Sequence, residues 1–292
     1  ARDTAGDVGT AITTPTEYDR ASAYDVAAAA AKRLSEALRS LEEYGKLHDP
    51  AVARQIEQCR YAGYELERTL LDALRQRHPH QWTICVLLTA ELCIHHDWQD
   101  VVAASLDAGA DMVQLREKEF DDAELLRRAR WLVEACRGRA TVIINDRPDI
   151  AVLADADGVH VGQGDLDVTD ARRIVGPDRL IGVSTSCLDD AHAAQRDGAD
   201  YCGVGPMFSS QTKSKDHLAG LDYLHAYTAW NALPHLAISG ITLETLPAII
   251  DAGGRGVAVS QAICGAASPG EVVTTMREML SASHRVIAES EA

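Results

Sequence analysis

Residues 78–292 of this 292-residue chain carry 17 basic and 31 acidic side chains, and only three lysines, Lys118, Lys213 and Lys215. In so acidic a stretch the placement of each cation is informative. Arg116 and Lys118 alternate in Gln114-Leu115-Arg116-Glu117-Lys118, and alternate positions of an extended chain project to one side. Lys213 follows Ser210-Gln211-Thr212. Asp146 and Asp165, with Asn145 and Gln163 close by, are hard oxygen donors. Mg2+ commonly binds through one or two such carboxylates plus substrate phosphates. Ser210, Thr212, Gly240 and Ser260 are small residues suited to a phosphate cup of backbone amides. Two anion sites and a divalent cation point to a diphosphate substrate and a separate monophosphate. Cys187 has no histidine near it in sequence to activate it and reads as inert.

Each residue also has a plainer use. Arg116 and Glu117 can form an interior salt bridge, Asp146-Arg147-Pro148 a turn and helix cap, and Asp165 an N-cap. Gly240 can serve turn geometry alone, and His160 can be a packed histidine. Only their joint placement points to chemistry, and that placement depends on the elements that carry them.

The apolar segments Thr83–Leu88, Met112–Leu115, Val142–Asn145, Gly158–Val161, Leu180–Val183, Tyr201–Val204, Leu236–Ile238 and Gly256–Val259 read as eight strands. Helical stretches such as Asp121–Cys136 and Leu188–Arg196 lie between them. Regular alternation implies parallel strands with right-handed crossovers. Eight such units over 78–292 predict an α/β fold, a closed (β/α)8 TIM barrel, whose active site gathers at the C-terminal strand ends. Polar, charged or glycine residues follow seven of the eight strands, whereas connections at the other end, such as Asp107-Ala108-Gly109-Ala110, look ordinary. No G-x-G-x-x-G follows a strand, which speaks against a dinucleotide fold.

Before the barrel, residues 1–18 read as a disordered polar tail and 19–77 as a small α-helical hairpin module. Leu34, Leu38, Leu41 and Tyr44 mark one helix; Val52, Ile56, Cys59, Gly63, Leu66 and Leu70 mark a second, started by Asp49 and Pro50. Those stripes need a further surface, so the module is expected to dock on the barrel or to support a homo-oligomer.

Composition narrows the class. Apolar residues make up 46% of the chain, charged residues 25%, and the net charge is −16. Such a balance argues against nucleic acid or an anionic membrane as partner, leaving small-molecule substrates. No apolar run approaches a membrane span, and Ala1–Gly6 lacks the apolar core of a secretory signal. Seven scattered cysteines with no C-x-x-C suggest reduced thiols and a cytoplasmic location.

Six motifs together resemble the thiamine-phosphate synthase family: Val113 to Lys118, Ile143 to Arg147, Gly158 to Asp165, Ile181 to Thr185, Asp200 to Pro206, and Thr212-Lys213. The hairpin segment Arg33 to Tyr44 resembles an extension found on some members. The resemblance implies a transferase that joins 4-amino-2-methyl-5-hydroxymethylpyrimidine diphosphate to hydroxyethylthiazole phosphate, giving thiamine phosphate and diphosphate. It implies that Gln114, Arg116, Lys118, Asn145, Ser184 and Lys213 hold the pyrimidine diphosphate, with Arg116, Lys118 and Lys213 acting on the leaving group. Asp146 and Asp165 would bind Mg2+, and Ser210, Thr212, Gly240, Val259 and Ser260 the thiazole phosphate. Three positions depart from the family pattern: Ser210 for threonine, Ser239 for glycine and Ser186 for histidine. A thiazole tautomerase-like isomerase and a non-catalytic thiamine-precursor binding protein are the alternatives. The first typically needs a histidine where Ser186 stands, and the second has no use for leaving-group cations.

Overall fold

The computed structural model describes residues 23–74, 82–117, 119–209, 218–230 and 233–290. The chain divides into two compact units, Ala1–His78 and Pro79–Ala292. Among the described residues no helix is long and apolar enough to cross a membrane.

The first unit is a hairpin of α1 (Ala23–His48) and α2 (Pro50–Leu74). Asp49 starts α2 as its sequence suggests, its carboxylate accepting the Ala51 amide at 2.8 Å, with Pro50 at the first helical position. The helices meet through small and polar side chains. A Cβ on Gly45 would lie 3.3 Å from the Ala53 Cα, and Glu42, buried, accepts from Arg60 Nε at 2.9 Å. The sequence places Leu34, Leu38, Leu41 and Tyr44 on one stripe. The structure splits it: Leu38 is half-buried, while Leu34, Leu41 and Tyr44 are exposed.

The second unit is a closed barrel of eight parallel strands in chain order. They are β1 (Ile84–Leu88), β2 (Met112–Leu115), β3 (Thr141–Asn145), β4 (Gly158–Val161), β5 (Leu180–Thr185), β6 (Tyr201–Val204), β7 (His235–Ile238) and β8 (Val257–Val259). The helices outside it are α3 (Trp98–Asp107), α4 (Asp122–Cys136), α5 (Pro148–Ala154), α6 (Val168–Val175), α7 (Leu188–Asp197), α8 (Gly220–Trp230), α9 (Leu246–Asp251), α10 (Gln261–Cys264) and α11 (Pro269–Ser290).

The two-residue period of a strand sorts its side chains between two cores. In β2, Val113 and Leu115 join the large cluster between sheet and helices, whereas Met112 joins Trp82, Cys85, Ile143, Tyr201, Leu236 and Ala258. Residues from six strands around a barrel can meet only inside it, so this smaller cluster is the barrel's floor. Positions two residues further along, such as Gln114 and Gly203, stand above that floor at the C-terminal ends.

The opposite end is less ordinary than its sequence suggests. Ala110-Asp111, Ala156-Asp157 and Ala199-Asp200 each precede an even-numbered strand. Each carboxylate reaches across to amides of the preceding strand: Asp111 to Thr83 and Ile84 (2.8 and 3.0 Å), Asp157 to Val142 (2.7 Å) and Asp200 to Ile181 (2.8 Å). A repeated side-chain staple thus joins strand pairs at the end away from the polar mouth.

Candidate active site

The strand ends enclose a cavity of about 750 Å³. Gln114 and Arg116 enter it from the end of β2, Asn145 and Asp146 from β3, Asp165 from the loop after β4, and Ser184 from β5. Gly240 follows β7, and Val259 and Ser260 come from the end of β8. These nine candidates share one wall system. Lys118, Ser210, Thr212 and Lys213 lie outside the described residues, as does Lys215. A shallower hollow of about 430 Å³ at the other end includes Asp111 and Asp157, whose carboxylates are already committed to backbone amides.

Arg116 makes no ion pair among the described residues. Its sequence neighbour Glu117 turns the other way, accepting the Ala90 amide at 2.9 Å and pairing with Arg128 at 3.3 Å. Burial pushes the Glu117 carboxyl above its usual range, and the Ala90 amide and Arg128 work against that shift. Arg128 is itself stacked on Phe120, its guanidinium carbon 3.9 Å from the ring centroid. The salt bridge open to Arg116 and Glu117 in the sequence is therefore not formed, and the Arg116 guanidinium is left for the cavity.

Asp146 adopts a left-handed conformation (φ 61°), and its amide donates to the His160 carbonyl at 2.8 Å. That bond continues the β3–β4 ladder by one residue past Asn145 and holds Asp146 at the rim. Pro148 starts α5 beyond Arg147 at the N-cap, so the turn reading of Asp146-Arg147-Pro148 and the rim position coexist. Asp165 does not cap the next helix. Asp167 does, accepting the Asp170 amide at 2.7 Å, while Asp165 accepts the Gly162 amide at 2.8 Å. No group of three or more His, Cys, Asp or Glu able to hold a metal occurs among the described residues. Two carboxylates on one rim are a partial, all-oxygen donor set, and that fits a Mg2+ completing its shell with substrate oxygens and water.

Beneath the rim, His160 is buried and bridges two side chains. One ring nitrogen, Nδ1, lies 3.2 Å from the Tyr201 hydroxyl, and Nε2 lies 3.0 Å from the Ser184 hydroxyl. The Gln114 side chain is within hydrogen-bond reach of the same phenol, which burial pushes well above its ordinary pKa and so keeps protonated. Held between the two hydroxyls, the ring fixes the position of the Ser184 hydroxyl. Sequence reasoning singled out Ser184 and Gln114 but missed Tyr201. Its signal was Gly182 inside β5. A Cβ there would fall 2.1 Å from the Tyr201 ring, and an interior strand glycine marks such a close approach.

The far wall is built for close backbone approach. Gly240 has φ 68°, and a Cβ on it would lie 2.6 Å from the Phe208 Cβ, so both conformation and space demand glycine. Thr245 fixes the turn by donating to the Gly240 carbonyl at 3.0 Å and accepting the Thr242 amide at 2.9 Å. The Ser260 hydroxyl oxygen is buried. Apart from the neighbouring Cys264 thiol, a weak partner, it has none among the described residues. The Ser186 hydroxyl is committed to Asp190 at 2.9 Å.

Residues 84–263 match the family described as thiamine monophosphate synthase, and residues 1–69 match the one described as the ThiD2 family. A thiamine-phosphate synthase of Synechococcus sp. (strain CC9311) is 40% identical over 291 residues, covering 96% of this chain and 81% of that protein. One from Nostoc punctiforme is 41% identical over 271 residues, covering 92% of this chain and 76% of its own length. Among solved structures, a thiamine phosphate pyrophosphorylase from Pyrococcus furiosus superposes with a TM-score of 0.64 at 27% identity, over 70% of this chain and 98% of that one.

Proposed function

The chain belongs to the thiamine-phosphate synthase family, and on that premise we propose how its own residues carry the transfer that makes thiamine phosphate. The substrates are 4-amino-2-methyl-5-hydroxymethylpyrimidine diphosphate and hydroxyethylthiazole phosphate. The bond between the pyrimidine methylene carbon and the diphosphate oxygen breaks, and its electron pair leaves on the diphosphate. The aminopyrimidine stabilises the methylene cation, and the thiazole nitrogen lone pair then forms the new C–N bond. No protein nucleophile is needed, so positioning and electrostatic stabilisation of the leaving group supply the rate.

Arg116, joined by Lys118 and Lys213, neutralises the departing diphosphate. Asn145 and the oriented Ser184 hydroxyl, with Gln114 beside them, hold the pyrimidine diphosphate above the floor. Gly240, Val259 and Ser260, joined by Ser210 and Thr212, hold the thiazole phosphate. Asp146 and Asp165 would hold a Mg2+, which would supply further neutralisation of the diphosphate charge. Leu87, Leu236 and Ile238 line the deep part of the cavity, where apolar side chains keep water from capturing the cation. A cavity of about 750 Å³ lies within the range of small-molecule sites and suits two such substrates together. No proposed site residue comes from the helical hairpin, which we assign no catalytic part.

The observation that supports this reading most is Arg116 in the cavity wall with its neighbouring carboxylate turned away to Arg128. Arg116→Ala is expected to lower kcat/KM for thiamine phosphate formation by about 100-fold, roughly 2.7 kcal/mol of transition-state stabilisation. Wild-type kcat/KM in that variant would remove Arg116 from the mechanism.

A further inference from the structure

Among the described residues the helical hairpin buries little that is apolar: the buried residues are Ala27, Ala53 and Glu42. Among the described side chains the shielded positions are 27, 28, 29, 31, 35, 38, 42 and 45 of α1 and 53, 56, 57, 60, 63 and 67 of α2, and most of them recur at steps of three and four. These form the seam between the helices, as the Ser35–Tyr64 hydroxyl pair at 3.2 Å and the Arg60–Glu42 pair at 2.9 Å confirm.

Several of the exposed large apolar side chains occupy a different stripe, at seven-residue spacing, whereas Tyr61 and Tyr64 follow seam residues and lie on the opposite side. Leu34 and Leu41 each precede a seam residue of α1, and Val52, Cys59 and Leu66 each precede one of α2. Leu34, Leu41, Val52 and Leu66 are 49%, 57%, 45% and 63% exposed. One residue is a 100° turn of a helix, and antiparallel helices turn in opposite senses when viewed from one end. The residue before the seam therefore points to the same side of the hairpin on both helices. Both stripes lie on a single face.

We propose that this face is the interface with a second copy of the chain, two hairpins closing into a four-helix bundle. Seven-residue repetition is the signature of helix-on-helix packing, and a twofold copy presents the same stripe in return. The size fits. Helices of 26 and 25 residues are about 37 Å long, and two lying side by side give a face about 20 Å wide, roughly 700 Å² per copy. Standard-size specific interfaces bury about 800 Å² per partner. Charge allows the contact as well, because residues 1–77 carry 11 basic and 13 acidic side chains and two copies meet with little repulsion.

The test is the mass of the full chain by light scattering across a dilution series, with Cys59 alkylation as a second readout. The intact protein should run at twice the monomer mass, and Leu41→Glu with Leu66→Glu should halve it while thiamine phosphate turnover is retained. Leu153→Glu, which changes an exposed barrel-helix residue, should leave the mass unchanged. Cys59 should be alkylated at least about tenfold more slowly than the exposed Cys187 in the dimer, and equally fast in the double variant. An intact protein that stays monomeric at every concentration, or a double variant that remains dimeric, overturns the proposal. A monomer with Cys59 protected does so too, and would place another surface of the same chain on this face.

Discussion

Glu117 decides what Arg116 is for. Adjacent in sequence, the two would cancel if they faced each other, and the site would lose its cation. The Ala90 amide and Arg128 hold the carboxylate, and the guanidinium makes no ion pair among the described residues, as its proposed role toward the diphosphate requires. His235 shows how a single buried group sets a pH limit. Its Nε2 is buried without a hydrogen-bond partner among the described residues, and its ring stands edge-on to Tyr227 at 5.3 Å. Burial first, then the charge of Arg255, lowers its pKa to about 4. An unfolded histidine titrates near 6.5, so between these values the unfolded chain binds more protons. Stability is full above about pH 6.5 and falls as pH drops towards 4, by at most about 1.4 kcal/mol per pH unit. His235→Phe should therefore lose about 2 kcal/mol less than the wild type between pH 7 and pH 5. Urea midpoints at the two pH values check this, and parallel losses in both proteins would contradict it.

At the scale of elements, strand positions were legible and strand partnership was not. Arg116, Asp146, Asp165 and Ser184 could be placed at strand ends because they follow apolar strand segments. Which residues within a strand face the mouth shows only in the structure, where Gln114 lines the cavity while Val113 and Leu115 pack towards the helices. What stayed hidden depends on contacts between distant segments: Arg128 pairs with Glu117 from a helix, and Tyr201 meets His160 across 41 positions. Lys118 and Lys213 were equally legible as candidates, but their placement lies outside the described residues. The aspartate staples were missed because each acts on the neighbouring strand, 15 to 28 residues away. Asp111 takes two amides at the start of β1, and Ile84 there is fully buried. Asp111→Ala should therefore cost about 2–3 kcal/mol, against about 1 kcal/mol for the exposed Asp157→Ala. Denaturant unfolding of the two variants measures the difference, and equal costs would mean that the staples do not depend on burial. Both variants should keep wild-type kcat when folded, because the staples sit at the end opposite the mouth.

Across the whole molecule, charge and chemistry are separated by length scale. The chain carries −16 overall, yet its proposed reaction handles a diphosphate and a monophosphate. At physiological ionic strength charges are screened beyond about 8 Å, so the proposed cations and the proposed Mg2+ could govern binding in spite of the acidic exterior. The barrel gathers them because eight parallel strands direct all their C-terminal ends to one side. The hairpin contributes no proposed site residue, and its exposed stripe is assigned to association. The account turns on Asp146 and Asp165 acting as a pair from neighbouring strand ends. The direct measurement is the initial rate of thiamine phosphate formation against Mg2+ concentration for the wild type, Asp146→Asn and Asp165→Asn. The wild type should lose activity in EDTA and regain it with Mg2+, and each variant should fall by at least about 100-fold in kcat/KM, with half-saturation moved to higher Mg2+. Full wild-type activity in EDTA, or either variant at the wild-type rate with unchanged Mg2+ dependence, would contradict the account.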